Sequence, residues 1–66
     1  MKSISNEQLN EWWNECGFDE METVTGYACY EFSPEDGYQD YIDYCDEIWD
    51  NFTYGEKLSA YHKVED

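Results

Sequence analysis

Carboxylates are the most abundant side chains here that could carry chemistry, and they recur at helical intervals. The 66 residues include 17 Asp and Glu against three Lys and no Arg, which gives a formal net charge of −14. Two acidic sets have members three or four positions apart: Glu7, Glu11 and Glu15 in the first, and Asp36, Asp40, Asp43, Glu47 and Asp50 in the second. In a helix, this spacing places each set along one side. Such arrays could serve acid–base catalysis, metal binding or the imitation of phosphates.

Catalysis by paired carboxylates is disfavoured by the size of the chain. A general acid needs a cleft that seats a substrate and raises the pKa of one carboxyl group. A chain of 66 residues seldom builds such a cleft. The single histidine, His62, is accompanied by no Ser/His/Asp or Cys/His pattern, and the scarcity of cations disfavours direct binding of nucleotides or nucleic acids. We therefore expect a protein that is not an enzyme.

The cysteines do not match a metal site. Cys16, Cys29 and Cys45 are 13 and 16 positions apart, whereas zinc modules pair their ligands two to four residues apart. We expect buried free thiols and no metal or cofactor. An odd number of cysteines without a CxxC pair, after a polar start rather than an apolar signal core, favours a reducing cytoplasm. No apolar run reaches the ~18 residues needed to cross a bilayer, so we expect no membrane role.

The first acidic set lies in a segment with clear helix boundaries. Ser5 and Gln8 match the capping box, in which each side chain accepts from the other residue's backbone N–H. We predict a helix over residues 6–16, closed by Gly17 in the left-handed conformation. Its apolar side would comprise Leu9, Cys16 and either Trp12 or Trp13.

The second set lies in the most strongly patterned part of the sequence. Ser33 followed by Pro34 is typical of a helix N-terminus. Apolar residues then follow i, i+3, i+4, i+7 spacing: Tyr38, Tyr41, Ile42, Cys45, Ile48, Trp49 and Phe52. We predict one long amphipathic helix over 34–52 with the second acidic set opposite the core. That set would extend roughly 21 Å along the axis.

In the rest of the chain the sequence patterns indicate the secondary structure less clearly. Thr53 and Glu56 offer a second capping box, which would start a short terminal helix. Residues 18–32 read either as a helix, from apolar spacing, or as a hairpin turning at Gly26. We favour the helix, because a lone two-stranded hairpin is poorly stabilised. The fold class is then all-α, a small helical bundle with one long amphipathic helix in a single compact domain over 1–66. The alternative is α+β, with a hairpin in residues 20–32.

The function predicted from these features is imitation of DNA. A solvated helical face usually mixes Glu with Lys, whereas these acidic sets are almost uncompensated. In size, acidity and aromatic richness the chain resembles small phage-type inhibitors that mimic DNA, such as anti-CRISPR and antirestriction proteins. The resemblance implies stoichiometric occlusion of a nucleic-acid-binding cleft, and we predict that this is the basic cleft of a host defence nuclease or other DNA-binding protein. Because the core is small and the carboxylates repel one another, we expect a monomer or small homo-oligomer. The eight acidic residues of the two sets would imitate phosphates.

A small adaptor protein is the alternative function. In that case the contact would be apolar and the charge would serve solubility alone. The chain carries three Trp, seven Tyr and three Phe, more rings than a core of this size encloses easily. Trp13, Tyr44 and Tyr54 are the candidate aromatic anchors, under either hypothesis.

Overall fold

The computed structural model describes residues 4–65, which form four α-helices joined by short turns. The helices are α1 (Asn6–Asn14), α2 (Phe18–Thr25), α3 (Gln39–Asn51) and α4 (Tyr54–Glu65), with 3₁₀ turns at Cys29–Glu31 and Glu35–Gly37. No strand occurs within residues 4–65. The all-α prediction is confirmed, and the hairpin alternative for residues 20–32 is wrong. Gly26, at φ 84°, ends α2 instead of turning a hairpin.

Helix α1 begins as predicted and ends earlier. The Ser5 hydroxyl accepts from the Gln8 backbone N–H at 3.1 Å, and the Gln8 side chain accepts from the Ser5 N–H at 2.9 Å. The last turn tightens, because the Glu15 N–H bonds back three residues to Trp12. Gly17 has a φ of −87° and caps the start of α2. The prediction that Gly17 closes α1 in the left-handed conformation is therefore wrong.

The predicted long helix over 34–52 is broken before its third turn. Asp36, Gly37 and Tyr38 all have positive φ, at 54°, 65° and 64°. Three successive left-handed residues cannot continue a right-handed helix, so α3 starts at Gln39. The bend lets the Tyr38 ring meet Phe18 edge to face, with centroids 5.6 Å apart. Helix α3 remains the longest, at 13 residues.

Helix α4 begins with the predicted capping box. The Thr53 N–H donates to the Glu56 carboxylate at 2.9 Å, and the Glu56 N–H donates to the Thr53 hydroxyl at 3.2 Å. This reciprocal pair satisfies two backbone donors that a helix start leaves unbonded. The box fixes α4 directly after α3, with only Phe52 and Thr53 between them.

The core is aromatic and centres on two stacked indoles. The Trp13 and Trp49 rings are parallel to within 1°, with centroids 4.8 Å apart. The buried residues packed with them are Leu9, Met21, Tyr41, Cys45 and Ala60. Trp12 is half-buried and meets Tyr61 of α4 edge to face. Each large ring buries about 150 to 250 Å², which compensates for the small number of core residues.

A lysine is buried at the junction of α1, α3 and α4. Lys57 is 8% exposed, and its ammonium group lies 5.3 Å from the centre of the Trp49 ring. The Asn10 side-chain oxygen accepts from the Lys57 ammonium at 3.0 Å and from the Trp49 indole N–H at 2.8 Å. A buried cation is costly unless it is hydrogen-bonded. Asn10 therefore holds three helices together through one oxygen atom.

Candidate functional site

Helix α3 carries acidic residues on the side opposite its core face. Tyr41, Cys45 and Trp49 are buried at four-residue intervals. On the opposite side the exposed acids are Asp40, Asp43, Glu47 and Asp50, which we call the α3 stripe, whereas the exposed Asp46 lies outside it and accepts from Trp13. At about 100° of rotation per residue, the stripe is centred about half a turn from the buried residues. From Asp40 to Asp50 it extends about 15 Å along the axis.

Asp36 does not belong to this stripe. It is exposed but lies in the left-handed turn before α3, at φ 54°. The prediction that Asp36 shares the helical register of Asp40 to Asp50 is wrong. The continuous array is shorter than the roughly 21 Å expected from the sequence by the ~6 Å that four helical residues would add.

Helix α1 carries the second array. Glu7 and Glu11 lie within α1, and Glu15 is the residue that caps its C-terminus. All three are exposed, on the side away from the buried Leu9 and Trp13. We call these acids the α1 stripe, and its length is about 12 Å. The sequence prediction for this set agrees with its placement.

Helices α1 and α3 are joined by indole hydrogen bonds. Trp13 of α1 donates to the Asp46 carboxylate of α3 at 2.8 Å, and Trp49 of α3 donates back to Asn10 of α1 at 2.8 Å. A groove of about 310 Å³ lies along this junction, lined by Asn10, Trp13, Asn14, Asp46, Trp49 and Asp50. Of the α3 stripe, Asp50 alone lines this groove.

The stripes are not neutralised by the protein itself. Within residues 4–65, none of the seven stripe carboxylates has a salt-bridge partner. Asp43 accepts one neutral hydrogen bond, from the Gln39 amide at 2.8 Å. Carboxylates outside the stripes are instead used internally, as Asp46 is by Trp13 and Glu56 is by the start of α4. The negative charge of the stripes is therefore available to a partner.

The three predicted aromatic anchors have different environments. Trp13 is 5% exposed and stacks in the core, so it does not lie on the candidate surface, and that prediction is wrong. Tyr54 is exposed, but its hydroxyl donates to the Ile4 carbonyl. Tyr44 is 38% exposed and lies on α3 beside the stripe. Of the three, Tyr44 is the one placed to touch a partner bound at the α3 stripe.

Two further exposed tyrosines were missed by sequence reasoning, one of which contacts Tyr44. Tyr27 and Tyr30 follow α2 and are 42% and 80% exposed. The Tyr27 ring meets Tyr44 edge to face with centroids 5.2 Å apart. Both residues lie in the part of the sequence whose secondary structure was ambiguous, and no local pattern indicated which rings would face solvent.

Two of the thiols, those of Cys16 and Cys45, are held in their protonated form. Cys45 is fully buried, and desolvation raises its pKa. Burial, followed by the charges of Glu20, Glu65 and Glu15, raises the pKa of Cys16 to about 11. In the described part of the chain, no three His, Cys, Asp or Glu side chains converge in an arrangement suited to a metal ion. Thiolate chemistry is therefore disfavoured at Cys16 and Cys45 near neutral pH.

Among the helices of residues 4–65, none is both long and apolar enough to span a bilayer. No protein-family model, curated protein or solved structure matches this chain. The functional assignment therefore depends on the geometry and charge of the surface described above.

Proposed function

We propose that this protein is a DNA mimic of the bacterial cytoplasm that occupies the basic nucleic-acid-binding cleft of a defence nuclease or another DNA-binding protein. It would act by stoichiometric occlusion and without catalysis. The observation that carries the proposal is the α3 stripe, in which one helix displays four exposed carboxylates, none of which has a salt-bridge partner among residues 4–65. The α1 stripe would bind the partner as a second acidic surface, on the side of α1 away from Leu9 and Trp13.

The spacing of the stripes supports this function. Steps of three or four helical residues separate carboxylates by about 4.5 to 6 Å along the axis. Each DNA strand presents a phosphate every ~3.4 Å, so each stripe repeats its negative charge on a similar scale, more sparsely than a strand does. Like charges four residues apart destabilise a helix by a few tenths of a kcal/mol per pair. Keeping them without compensation is consistent with selection for binding.

Matched charge reversals test the α3 stripe. D40K/E47K reverses two stripe residues, whereas D19K/E22K reverses two exposed acids of α2. Each pair contains one acid from the first turn of its helix and one from further along, so net charge and helix-dipole effects are matched. We expect D40K/E47K to weaken binding to the partner by at least about tenfold and D19K/E22K to have a much smaller effect.

The partner for this measurement is obtained by affinity capture from a bacterial lysate. The wild-type protein and both double variants serve as baits, with duplex DNA added as competitor. The proposal predicts a nucleic-acid-binding protein that duplex DNA displaces and that D40K/E47K fails to retain. Equal retention by all three baits would contradict the assignment of the α3 stripe.

A small adaptor remains the second candidate, favoured by the exposure of Tyr27, Tyr30, Tyr44 and Tyr54. An apolar contact is little affected by salt, whereas exposed charge pairs are screened over about 10 Å at 0.1 M. Affinity for the captured partner that collapses between low and moderate salt supports mimicry. Affinity that persists supports the adaptor.

A further inference from the structure

Two tyrosines beside the α3 stripe pack against each other and remain partly exposed to solvent. The rings of Tyr27 and Tyr44 meet at 84° with centroids 5.2 Å apart. We call them the tyrosine pair. Beneath them lies Phe32, whose ring is 5.4 Å from Tyr44 and 5.2 Å from the buried Tyr41. The pair therefore rests on the core while its own rings remain partly open to solvent.

Hydrogen bonds fix the backbone of Tyr27, one member of the pair. The Tyr41 hydroxyl, on the core face of α3, donates to the Tyr27 backbone carbonyl at 2.6 Å. The Thr25 hydroxyl accepts from the Tyr27 N–H at 3.2 Å. Anchored rings lose little conformational entropy when a ligand stacks on them.

Tyr44 is also framed by carboxylates. Asp40 precedes it by four residues and Glu47 follows it by three, so both are its neighbours on the helix surface, with Cβ atoms about 5 to 6 Å away. Both acids are exposed, and within residues 4–65 neither has a salt-bridge partner. The helix thus presents an aromatic ring between two unneutralised negative charges.

We infer that the tyrosine pair, with Asp40 and Glu47, binds an arginine side chain of the protein partner. A guanidinium group is planar and weakly hydrated, so it can stack on a tyrosine ring while its N–H groups bond to carboxylates. A lysine ammonium group is compact and strongly hydrated, and it gains less from the ring. This inference rests on the proposed function and adds that the partner's basic cleft presents arginine at this point.

Other occupants fit the charges less well. Nucleic-acid bases stack on exposed aromatic rings, but their phosphates need cations, and this chain has a net charge of −14. A second copy of the chain would bring a further −14 to the same surface. A cationic protein segment is the occupant that both the rings and the carboxylates favour.

Peptide titration tests the inference without knowledge of the natural partner. Oligo-arginine and oligo-lysine peptides of equal length and charge are titrated into the protein at low salt and followed by calorimetry. We expect the wild-type protein to bind the arginine peptide about three- to tenfold more tightly, from the size of a partly desolvated cation–π contact. Tyr44→Leu should lose this preference and keep its affinity for the lysine peptide. Tyr44→Phe, which retains the ring, should keep the preference.

Two further variants separate the possible outcomes. Tyr30→Leu removes an exposed tyrosine that has no ring contact within residues 4–65, so it should leave the preference unchanged. If Tyr44→Leu loses helical content by circular dichroism, Tyr27→Leu takes its place, with the same expected loss of preference. Equal wild-type affinity for the two peptides, or a preference that survives the removal of the pair, overturns the inference.

The charge reversal D40K/E47K distinguishes failure of this inference from failure of the proposed function. It should weaken the binding of both peptides. If D40K/E47K has no effect on either peptide, the α3 stripe is not a cation-binding surface and the proposed function fails with it. If D40K/E47K weakens both peptides equally while the wild type shows no arginine preference, only the inference about the tyrosine pair is lost.

Discussion

Replacing Asn10 by Ala removes the acceptor on which two buried donors converge. The Asn10 oxygen accepts from the Trp49 indole N–H and from the Lys57 ammonium group. Trp49 is 2% exposed and Lys57 is 8% exposed, so solvent water has little access to either donor. Asn10→Ala therefore leaves a neutral donor and a charged donor buried without this partner.

The expected loss of free energy of unfolding is large for a domain of this size. A buried donor left unsatisfied costs about 1 to 3 kcal/mol, and a charged group costs more. We expect Asn10→Ala to lower the free energy of unfolding by about 3 to 5 kcal/mol, even though the Trp49 ring still faces Lys57. A single core of this size supplies on the order of 3 to 5 kcal/mol, so the variant should be largely unfolded at 25 °C.

Urea unfolding followed by circular dichroism measures the effect, with Asn14→Ala as the matched control. Asn14 lies in the same helix and is exposed, so its replacement should change the free energy of unfolding by less than about 0.5 kcal/mol. The gain in helix propensity from Asn to Ala is shared by both variants. Asn10→Asp keeps an acceptor for both donors and should stay folded. If the free energy of unfolding of Asn10→Ala lay within about 1 kcal/mol of that of Asn14→Ala, this account of the buried lysine would be refuted.

Two further predictions concern backbone conformation and alkaline pH. Gly55→Ala, in α4, should raise the free energy of unfolding by about 0.5 to 1 kcal/mol, because the added methyl group would have no neighbouring side-chain atom nearer than 3.9 Å. Gly26→Ala should lower this free energy by about 1 to 2 kcal/mol, because alanine is strained at φ 84°, and thermal denaturation measures both effects. The pKa of Cys16 is about 11 in the folded protein and 9.0 in the unfolded chain, so this thiol's contribution to stability should fall as pH rises from about 9 to 11. At pH 9, iodoacetamide should label Cys16 more slowly in the folded protein than in the urea-unfolded chain.

The parts of the fold that the sequence predicted are specified by neighbouring residues. The capping boxes of α1 and α4 each need only four consecutive positions, and both are present. The apolar spacing of α3 likewise placed Tyr41, Cys45 and Trp49 in the core. These signals are local, and the tertiary structure reinforces them.

The parts that could not be predicted depend on distant contacts. The left-handed turn before α3 is accompanied by the packing of Tyr38 on Phe18, 20 positions earlier in the chain. The burial of Lys57 depends on Asn10, which is 47 residues away. Trp12 and Trp13 were equally suited to the core by spacing, and the position of Trp49 decides between them. Residues 18–32 had competing local patterns, so the sequence did not predict that Tyr27 is exposed.

The most direct test of mimicry is an equilibrium displacement measurement on the captured partner. Labelled duplex DNA is bound to the partner, and the wild-type protein is titrated in at constant salt while fluorescence anisotropy is followed. We predict complete, stoichiometric release of the DNA, with D40K/E47K releasing far less than D19K/E22K. A partner that binds this protein and duplex DNA at the same time, with neither weakening the other, would contradict the account.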